Sequence, residues 1–282
     1  MSKALKDFMQ KIIKIYSREL IVAVVFLLAY APIFVWMWNR WFAPDSYYSH
    51  GILVPFVTGY LIWLNRDTLK NVEKRQGEMV GMVMLAFGIF ALILSSFLRS
   101  YPAGALTMIV VLAGLIITFF GTRVMKTIAF PIAFLFFMIP LPEYMITKIS
   151  FNMKIFAAQI ATDILNNHLR IPALREGSLI KMRSAYVMVD DVCSGLRSLI
   201  SLSALGSVFA YWMKRPMYKR ILLFLLTIPI AIITNVVRVI LLATISEVWG
   251  PQFATGLTHD ISGFLMFALA FVLLYATAKV IE

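Results

Sequence analysis

Long apolar runs alternate with short polar or basic stretches along the whole chain. A helix of roughly 20 apolar residues crosses the hydrocarbon core of a bilayer, and most of the runs approach that length. The pattern therefore predicts an all-α polytopic membrane protein with about eight transmembrane helices. The predicted spans are residues 20–38, 52–64, 79–98, 103–121, 127–141, 193–213, 221–245 and 260–278.

Residues 143–192, the longest stretch between predicted spans, carry two other periodicities. The first part has apolar residues three or four apart, which predicts an amphipathic helix. This helix either lies on the outer membrane interface or packs over the mouth of the bundle. Residues 177–189 alternate and are rich in branched and aromatic side chains, which predicts a small β-hairpin with Arg183-Ser184 in its middle. The apolar positions of the predicted helix are Ile146, Ile149, Met153, Phe156, Ile160 and Ile164.

Composition and charge give these elements an orientation. Hydrophobic residues make up 61% of the chain and charged residues 14%, whereas a soluble domain carries about 25% charged residues. The formal net charge of +12 comes largely from Lys and Arg in short segments between spans and at the two termini, so we expect no nucleic-acid partner. By the positive-inside rule these loops and both termini are cytoplasmic. The predicted segments are a cytoplasmic basic segment (1–19), five transmembrane helices (20–142), an extracytoplasmic helix and hairpin (143–192), and three transmembrane helices (193–282).

Cys193 is the only cysteine, and it lies where a polar stretch turns into a long apolar run. The pattern predicts that Asp190 or Asp191 caps a helix and that Cys193 lies within its first turn. Arg197 follows one turn later on the same face. The helix dipole and this guanidinium both favour a nucleophilic thiolate. Alternatively, the cysteine packs as a small hydrophobe and Arg197 pairs with Asp190.

Arg238 and His259 are expected at the same depth as Cys193. At 1.5 Å per residue, Arg238 lies about 25 Å up a rising helix, in the outer leaflet. His259 begins the final descending helix. An arginine within a span costs roughly 2.5–3.5 kcal/mol and usually faces the bundle interior with a partner. The structural alternatives for Arg238 are snorkelling outward to the membrane surface or pairing with Glu247 or Asp191. The structural alternative for His259 is helix capping.

Together these groups predict a cysteine-based active site. Cys193 supplies a nucleophile, His259 a general acid and base, and Arg238 stabilisation for an oxyanion. His50 also lies at the outer face and is a second candidate for the base. We expect no metal and no other cofactor.

Four short blocks carry a resemblance to a known family. Three of them are similar to the signature blocks of the exosortase/archaeosortase family, and a fourth, upstream block resembles an exosortase segment. The resemblance covers about residues 41–275, with the blocks in the family's order. They are Cys193-Ser194-Gly195-Leu196-Arg197, Asn235-Val236-Val237-Arg238, Thr258-His259, and Tyr48-Ser49-His50-Gly51-Ile52-Leu53-Val54-Pro55.

This resemblance implies a bacterial exosortase-type membrane cysteine transpeptidase in the inner membrane, with its site facing the periplasm or exterior. Such enzymes cut proteins bearing a carboxy-terminal sorting tail, which comprises a Pro-Glu-Pro-type motif, a transmembrane helix and a basic end. The protein is then transferred to a surface acceptor, whose identity the sequence does not give. If the roles of the family's signature residues apply to the matching positions here, the catalytic residues are Cys193, Arg238 and His259. The expected supporting residues are Arg197, Asn235, His50 and Asp191.

Two other functions fit parts of the pattern. A transporter would use Arg238 and His259 along a pathway, with Pro229 breaking a helix at the midplane. Those groups lie at one surface, however, and the chain shows no inverted repeat. An enzyme acting on lipid-linked saccharides would commonly use outer carboxylates, for which the candidates are Asp45, Glu143 and the Asp190-Asp191 pair.

Overall fold

Long apolar helices dominate the structure, a computed structural model that describes residues 3–44, 46–73, 79–189 and 194–282, with side chains from residue 20 onward. Among these residues, five helices are long and apolar enough to cross a membrane, and a bent helix pair is a sixth candidate. The chain is therefore a largely helical polytopic membrane protein. The helices are α1 (Lys3–Trp41), α2 (Leu53–Leu64), α3 (Arg66–Asn71), α4 (Met79–Phe97), α5 (Tyr101–Phe120), α6 (Thr122–Thr127), α7 (Ala129–Phe134), α8 (Glu143–Asn167), α9 (Leu196–Trp212), α10 (Met217–Trp249) and α11 (Leu257–Ile281).

The prediction of about eight spans is met only in part. The predicted second and sixth spans correspond to α2 and α9, which have 12 and 17 residues. Both are shorter than the roughly 20 residues that cross a bilayer core. The predicted fifth span is α7 extended by a short 3-10 helix to Met138, and it meets α8 at a bend of 80°. Pro140 and Pro142 lie at this bend. Proline lacks the backbone N–H that would continue a helix, which explains why the apolar run is interrupted.

The chain forms two compact units. The first consists of residues 1–42 and 62–132, and the second of residues 43–61 and 133–282. In the first unit α4 and α5 pack closely, since a Cβ on Gly114 would lie 2.9 Å from the backbone nitrogen of Leu85. Small residues allow such close backbone approach between apolar helices. Every described candidate site residue belongs to the second unit.

In the second unit α8 packs against α10, as the bundle-packed alternative predicts. Its buried face differs from the predicted apolar stripe, and Phe156 of that stripe is 49% exposed. Alanines allow α8 to approach its neighbour more closely than isoleucines would, which explains the choice of face. The buried residues of α8 are Ser150, Ala157, Ala158, Ala161, Thr162 and Leu165.

A three-stranded antiparallel sheet follows α8. Its strands are β1 (Ala173–Glu176), β2 (Leu179–Met182) and β3 (Tyr186–Met188), in the order β1-β2-β3. The predicted hairpin is confirmed as β2 and β3, and β1 extends it. The turn is held to α10, because the Ser184 backbone N–H donates to the two Glu247 carboxylate oxygens at 3.2 and 3.0 Å. Ile180 is fully buried in the core shared by the sheet, α8 and α10.

Candidate active site

The candidate site begins at the amino terminus of α9. The N-cap residue is Gly195, so the prediction that an aspartate caps this helix is wrong. Gly195 has a φ of 81°, a left-handed conformation that strongly favours glycine. A Cβ at this position would also lie 2.7 Å from Cγ and 2.8 Å from Cβ of Asn235. Both the backbone conformation and the contact with α10 therefore require glycine here.

Four residues that bear on the site lie outside the described residues. They are Asp190, Asp191, Val192 and Cys193. Because α9 begins at Leu196, the prediction that Cys193 lies within its first turn is wrong. The predicted pairing partners among the aspartates stay predictions.

Arg238 lies on α10 with only 8% of its surface exposed. Its Nε donates to Ser262 Oγ at 3.2 Å, and its Nη2 donates to the His259 carbonyl oxygen at 3.0 Å. Nη2 also lies 3.2 Å from His259 Nε2. A guanidinium has no acceptor, so His259 Nε2 must accept this hydrogen bond and the neutral imidazole carries its proton on Nδ1. Among the described residues, Arg238 Nη1 has no hydrogen-bond partner.

These contacts bear on the predicted pairing of Arg238 with Glu247, since Asp191 lies outside the described residues. The described partners of Arg238 are two residues of α11, whereas Glu247 holds the turn of the sheet. A glycine makes room for the guanidinium, because a Cβ on Gly263 would lie 3.1 Å from Nη2. Arg238 and His259 therefore form a direct pair within the second unit.

His259 lies in the first turn of α11. Gly256 is the N-cap of this helix, so His259 does not serve as its cap. Its Nδ1 lies 3.5 Å from Asp260 Oδ1, and the Asp260 side chain is 82% exposed. The Ser262 hydroxyl donates to the His259 carbonyl oxygen at 2.7 Å. His259 is thus fixed on its Nε2 side, while its Nδ1 side faces a solvated carboxylate.

A cavity of about 340 Å³ joins these groups. We call it the arginine cavity, because both Arg197 and Arg238 line it. The Arg197 Nε atom is buried and has no hydrogen-bond partner among the described residues. The other lining residues are Ser49, Gly195, Ser198, Ser201, His259, Asp260, Gly263, Phe264 and Phe267.

His50 occupies a different place from His259. Its Nδ1 lies 3.1 Å from Ser201 Oγ, while its Nε2 is buried without a described partner. Burial lowers the pKa of His50 to about 4, so the ring is neutral near pH 7. Ser201 lines the arginine cavity and His50 does not. His50 therefore contacts a residue of the cavity wall, Ser201, without lining the cavity itself.

A second cavity, of about 320 Å³, is largely apolar and is lined by Ser194 and Asn235. Ser194 borders this apolar cavity, whereas the next residue, Gly195, borders the arginine cavity. Asn235 is only 6% exposed. The residues that follow Cys193 in the chain therefore separate an apolar cavity from a cationic one.

Sequence reasoning missed two serines of the site. Ser262 follows His259 by three residues and binds Arg238, and Ser201 follows Arg197 by four residues and contacts His50. Residues three or four apart share a helix face, so this spacing was the available signal. Within the described residues, no three His, Cys, Asp or Glu side chains are grouped as a metal site.

Comparison with known proteins identifies the family. The family model described as transmembrane exosortase (Exosortase_EpsH) matches residues 37–276, most of the chain. No curated protein and no solved structure matches. The matched region includes the arginine cavity, both halves of the Arg238–His259 pair, and Cys193. The chain therefore belongs to the transmembrane exosortase family.

Proposed function

We propose that this transmembrane exosortase is a cysteine transpeptidase of the bacterial inner membrane. Its substrates are membrane-anchored proteins with a carboxy-terminal sorting tail made of a Pro-Glu-Pro-type motif, a transmembrane helix and a basic end. The enzyme cuts them at the outer membrane face and transfers the protein to a surface acceptor. Both termini of the enzyme are cytoplasmic. Cys193 is the nucleophile, His259 the general acid and base, and Arg238 the oxyanion partner.

The observation that carries this proposal is the Arg238–His259 pair on the wall of the arginine cavity. Gly195, two residues after the only cysteine, borders the same cavity. A buried guanidinium with a free N–H, beside a neutral imidazole, suits acyl transfer, since that reaction needs proton transfer and charge stabilisation together. The family match supports the same reaction class.

In the first half-reaction, His259 takes the thiol proton of Cys193, and the thiolate sulfur attacks the scissile carbonyl carbon. For Nε2 to accept that proton, its hydrogen bond from Arg238 must be released. The released N–H, together with Nη1, is then available to the oxyanion. Collapse of the tetrahedral intermediate breaks the C–N bond, and the imidazolium protonates the departing amine of the membrane tail.

In the second half-reaction, the acyl group is a thioester on Cys193. An acceptor amine, acceptor hydroxyl or water attacks this carbonyl and gives its proton to His259. The C–S bond breaks, and the proton returns to the sulfur. Transfer and hydrolysis therefore share one intermediate and differ only in the nucleophile that reaches it.

The test is co-expression with a tail-bearing substrate, followed by mass spectrometry of the processed protein. We expect a new carboxy terminus or an attached group with the native enzyme, and intact substrate with Cys193→Ala. Cys193→Ser should be far slower, because a serine alkoxide is harder to generate than a thiolate. Hydroxylamine should divert the thioester into a hydroxamate at the cut end. Ser96→Ala, which changes an exposed hydroxyl in the first unit, is a control that should cut normally.

Cleavage by Cys193→Ala at close to the native rate would refute covalent cysteine catalysis. The site would then have to be rebuilt around His259 and a carboxylate that activates water. A native enzyme that leaves every tail-bearing substrate intact would refute the proposed substrate class.

A further inference from the structure

The arginine cavity contains more positive charge than its described lining neutralises. Arg197 and Arg238 both line it, and Asp260 is the only acidic residue among the lining residues that the structure describes. The Asp260 side chain is 82% exposed, so water already solvates most of this carboxylate. A cavity with two guanidinium groups and one solvated carboxylate favours an anionic ligand.

Both arginines have a nitrogen donor without a partner among the described residues. Arg197 Nε is buried and has no such partner. Arg238 uses Nε and Nη2 for contacts with α11, which leaves Nη1 without a described partner. A buried charged donor without an acceptor costs free energy, so the Arg197 Nε–H favours a ligand that supplies an oxygen, and Arg238 Nη1 is a second available donor.

Two helix amino termini add to the positive electrostatic potential of the arginine cavity. The 17-residue α9 and the 25-residue α11 both begin at the cavity. Residues of their first turns, including Ser198 and His259, line its wall. The first N–H groups of a helix have no partner within the helix, and the helix dipole places partial positive charge there. An anion in this cavity would therefore meet two helix ends as well as two guanidinium groups.

We infer that the arginine cavity binds a carboxylate of the peptide substrate, and that Arg197 is the residue that recognises it. This inference rests on the proposed function, which supplies a peptide as the ligand. The planar guanidinium fork matches a carboxylate in two parallel hydrogen bonds. The carboxylate has two possible sources, namely an acidic side chain near the cut and the new carboxy terminus formed by hydrolysis.

The first arm of the test is a double-mutant cycle between enzyme and substrate. Arg197→Gln is combined with substrates in which each acidic side chain near the cut is changed to its amide. If an acidic side chain is the ligand, Arg197→Gln should lower kcat/KM for the acidic substrate by about 10- to 100-fold. It should change kcat/KM for the matching amide substrate much less, because the partner is already absent.

The second arm tests the new carboxy terminus. Product-like peptides ending in a free acid or in an amide are compared as inhibitors of the native enzyme and of Arg197→Gln. If the new terminus is the ligand, the free acid should inhibit the native enzyme more strongly. That preference should shrink by about 10-fold or more in the variant. Coupling in either arm supports the inference and identifies the source.

Controls separate charge recognition from structural damage. Arg183→Gln changes an exposed arginine in the turn of the sheet, which does not line the cavity, and should show no coupling in either arm. Arg197→Lys keeps the charge without the planar fork and should show a smaller loss of coupling than Arg197→Gln. If Arg197→Gln does not fold, Arg197→Met carries the test, because it keeps a long side chain without charge or donors, and undiminished coupling in it would overturn the role of Arg197.

Equal effects of Arg197→Gln on acid and amide forms in both arms would also overturn the inference. These outcomes differ from a failure of the proposed function. In that case the native enzyme would cut no substrate at all.

Discussion

Arg238→Lys is the substitution that most directly tests the Arg238–His259 pair. The variant keeps the positive charge and removes the planar arrangement of donors. The native guanidinium makes three contacts through two nitrogens: Ser262 Oγ at 3.2 Å, His259 Nε2 at 3.2 Å and the His259 carbonyl at 3.0 Å. The shorter lysine side chain carries one ammonium nitrogen, which cannot occupy both nitrogen positions while also facing an oxyanion.

The expected magnitude follows from this geometry. Loss of one preorganised oxyanion donor lowers kcat by about 10²- to 10³-fold in acyl-transfer enzymes. We therefore expect Arg238→Lys to lower kcat for tail cleavage by at least about 10²-fold. Because Arg238 is 8% exposed, the ammonium would remain buried, and the variant should also be less stable.

The assay is single-turnover cleavage of a purified tail-bearing substrate, so that chemistry is measured apart from release. Ser262→Ala is the matched control, because it removes one acceptor of Arg238 and leaves the guanidinium in place. We expect a loss of only about 5-fold in that control, because the guanidinium keeps both of its contacts with His259. Thermal unfolding in detergent shows whether each variant retains its fold.

A folded Arg238→Lys variant that cuts within a few-fold of the native rate would refute the reasoning. The guanidinium would then have only a structural role at the start of α11. If Ser262→Ala lost as much activity as Arg238→Lys, the orientation of the guanidinium would limit the rate. The number of N–H donors that it offers would then be less important.

Substitutions at four further positions test the surrounding structure. His259→Ala should abolish the pH-dependent chemistry, whereas His50→Ala should retain it. Because the folded pKa of His50 is about 4 and its ordinary value 6.5, the unfolded chain binds the extra proton between those values. Native stability should therefore fall as pH falls through this window, and His50→Ala should flatten that dependence in thermal unfolding. Gly195→Ala should cost about 1–2 kcal/mol from its left-handed backbone alone, plus displacement of Asn235, measured as unfolding in detergent alongside tail cleavage. Glu247→Ala should speed hydrogen exchange at the turn of the sheet, while Glu247→Gln should largely retain protection because it keeps one oxygen acceptor.

The sequence carried enough information to place Arg238 and His259 at the same depth. Helical rise gives the depth of a residue along a span, and an arginine in an apolar helix must face inward to find a partner. Depth alone does not give the direction in which a side chain points. Glu247 therefore remained a possible partner until the structure showed Arg238 in contact with α11.

The face of α8 was harder to predict. Its isoleucines mark the most apolar stripe, but the buried face is built on Ala157, Ala158 and Ala161. Close packing with α10 is limited by side-chain volume, which a hydrophobicity pattern does not measure.

Strand β1 was not predicted, for a related reason. Its sequence Ala-Leu-Arg-Glu contains strong helix formers and gains its strand from pairing with β2, a contact that local propensity does not include.

The anchor between Glu247 and the sheet has a practical consequence for following this enzyme in the membrane. Glu247 accepts from the backbone N–H of Ser184, so the contact does not depend on the side chain at that position. Any residue except proline supplies the same donor. The exposed turn at position 184 can therefore carry a fluorophore or a spin label while its attachment to α10 is kept. Since α10 also carries Arg238, a label at this turn is attached to the helix of the Arg238–His259 pair without contacting that pair.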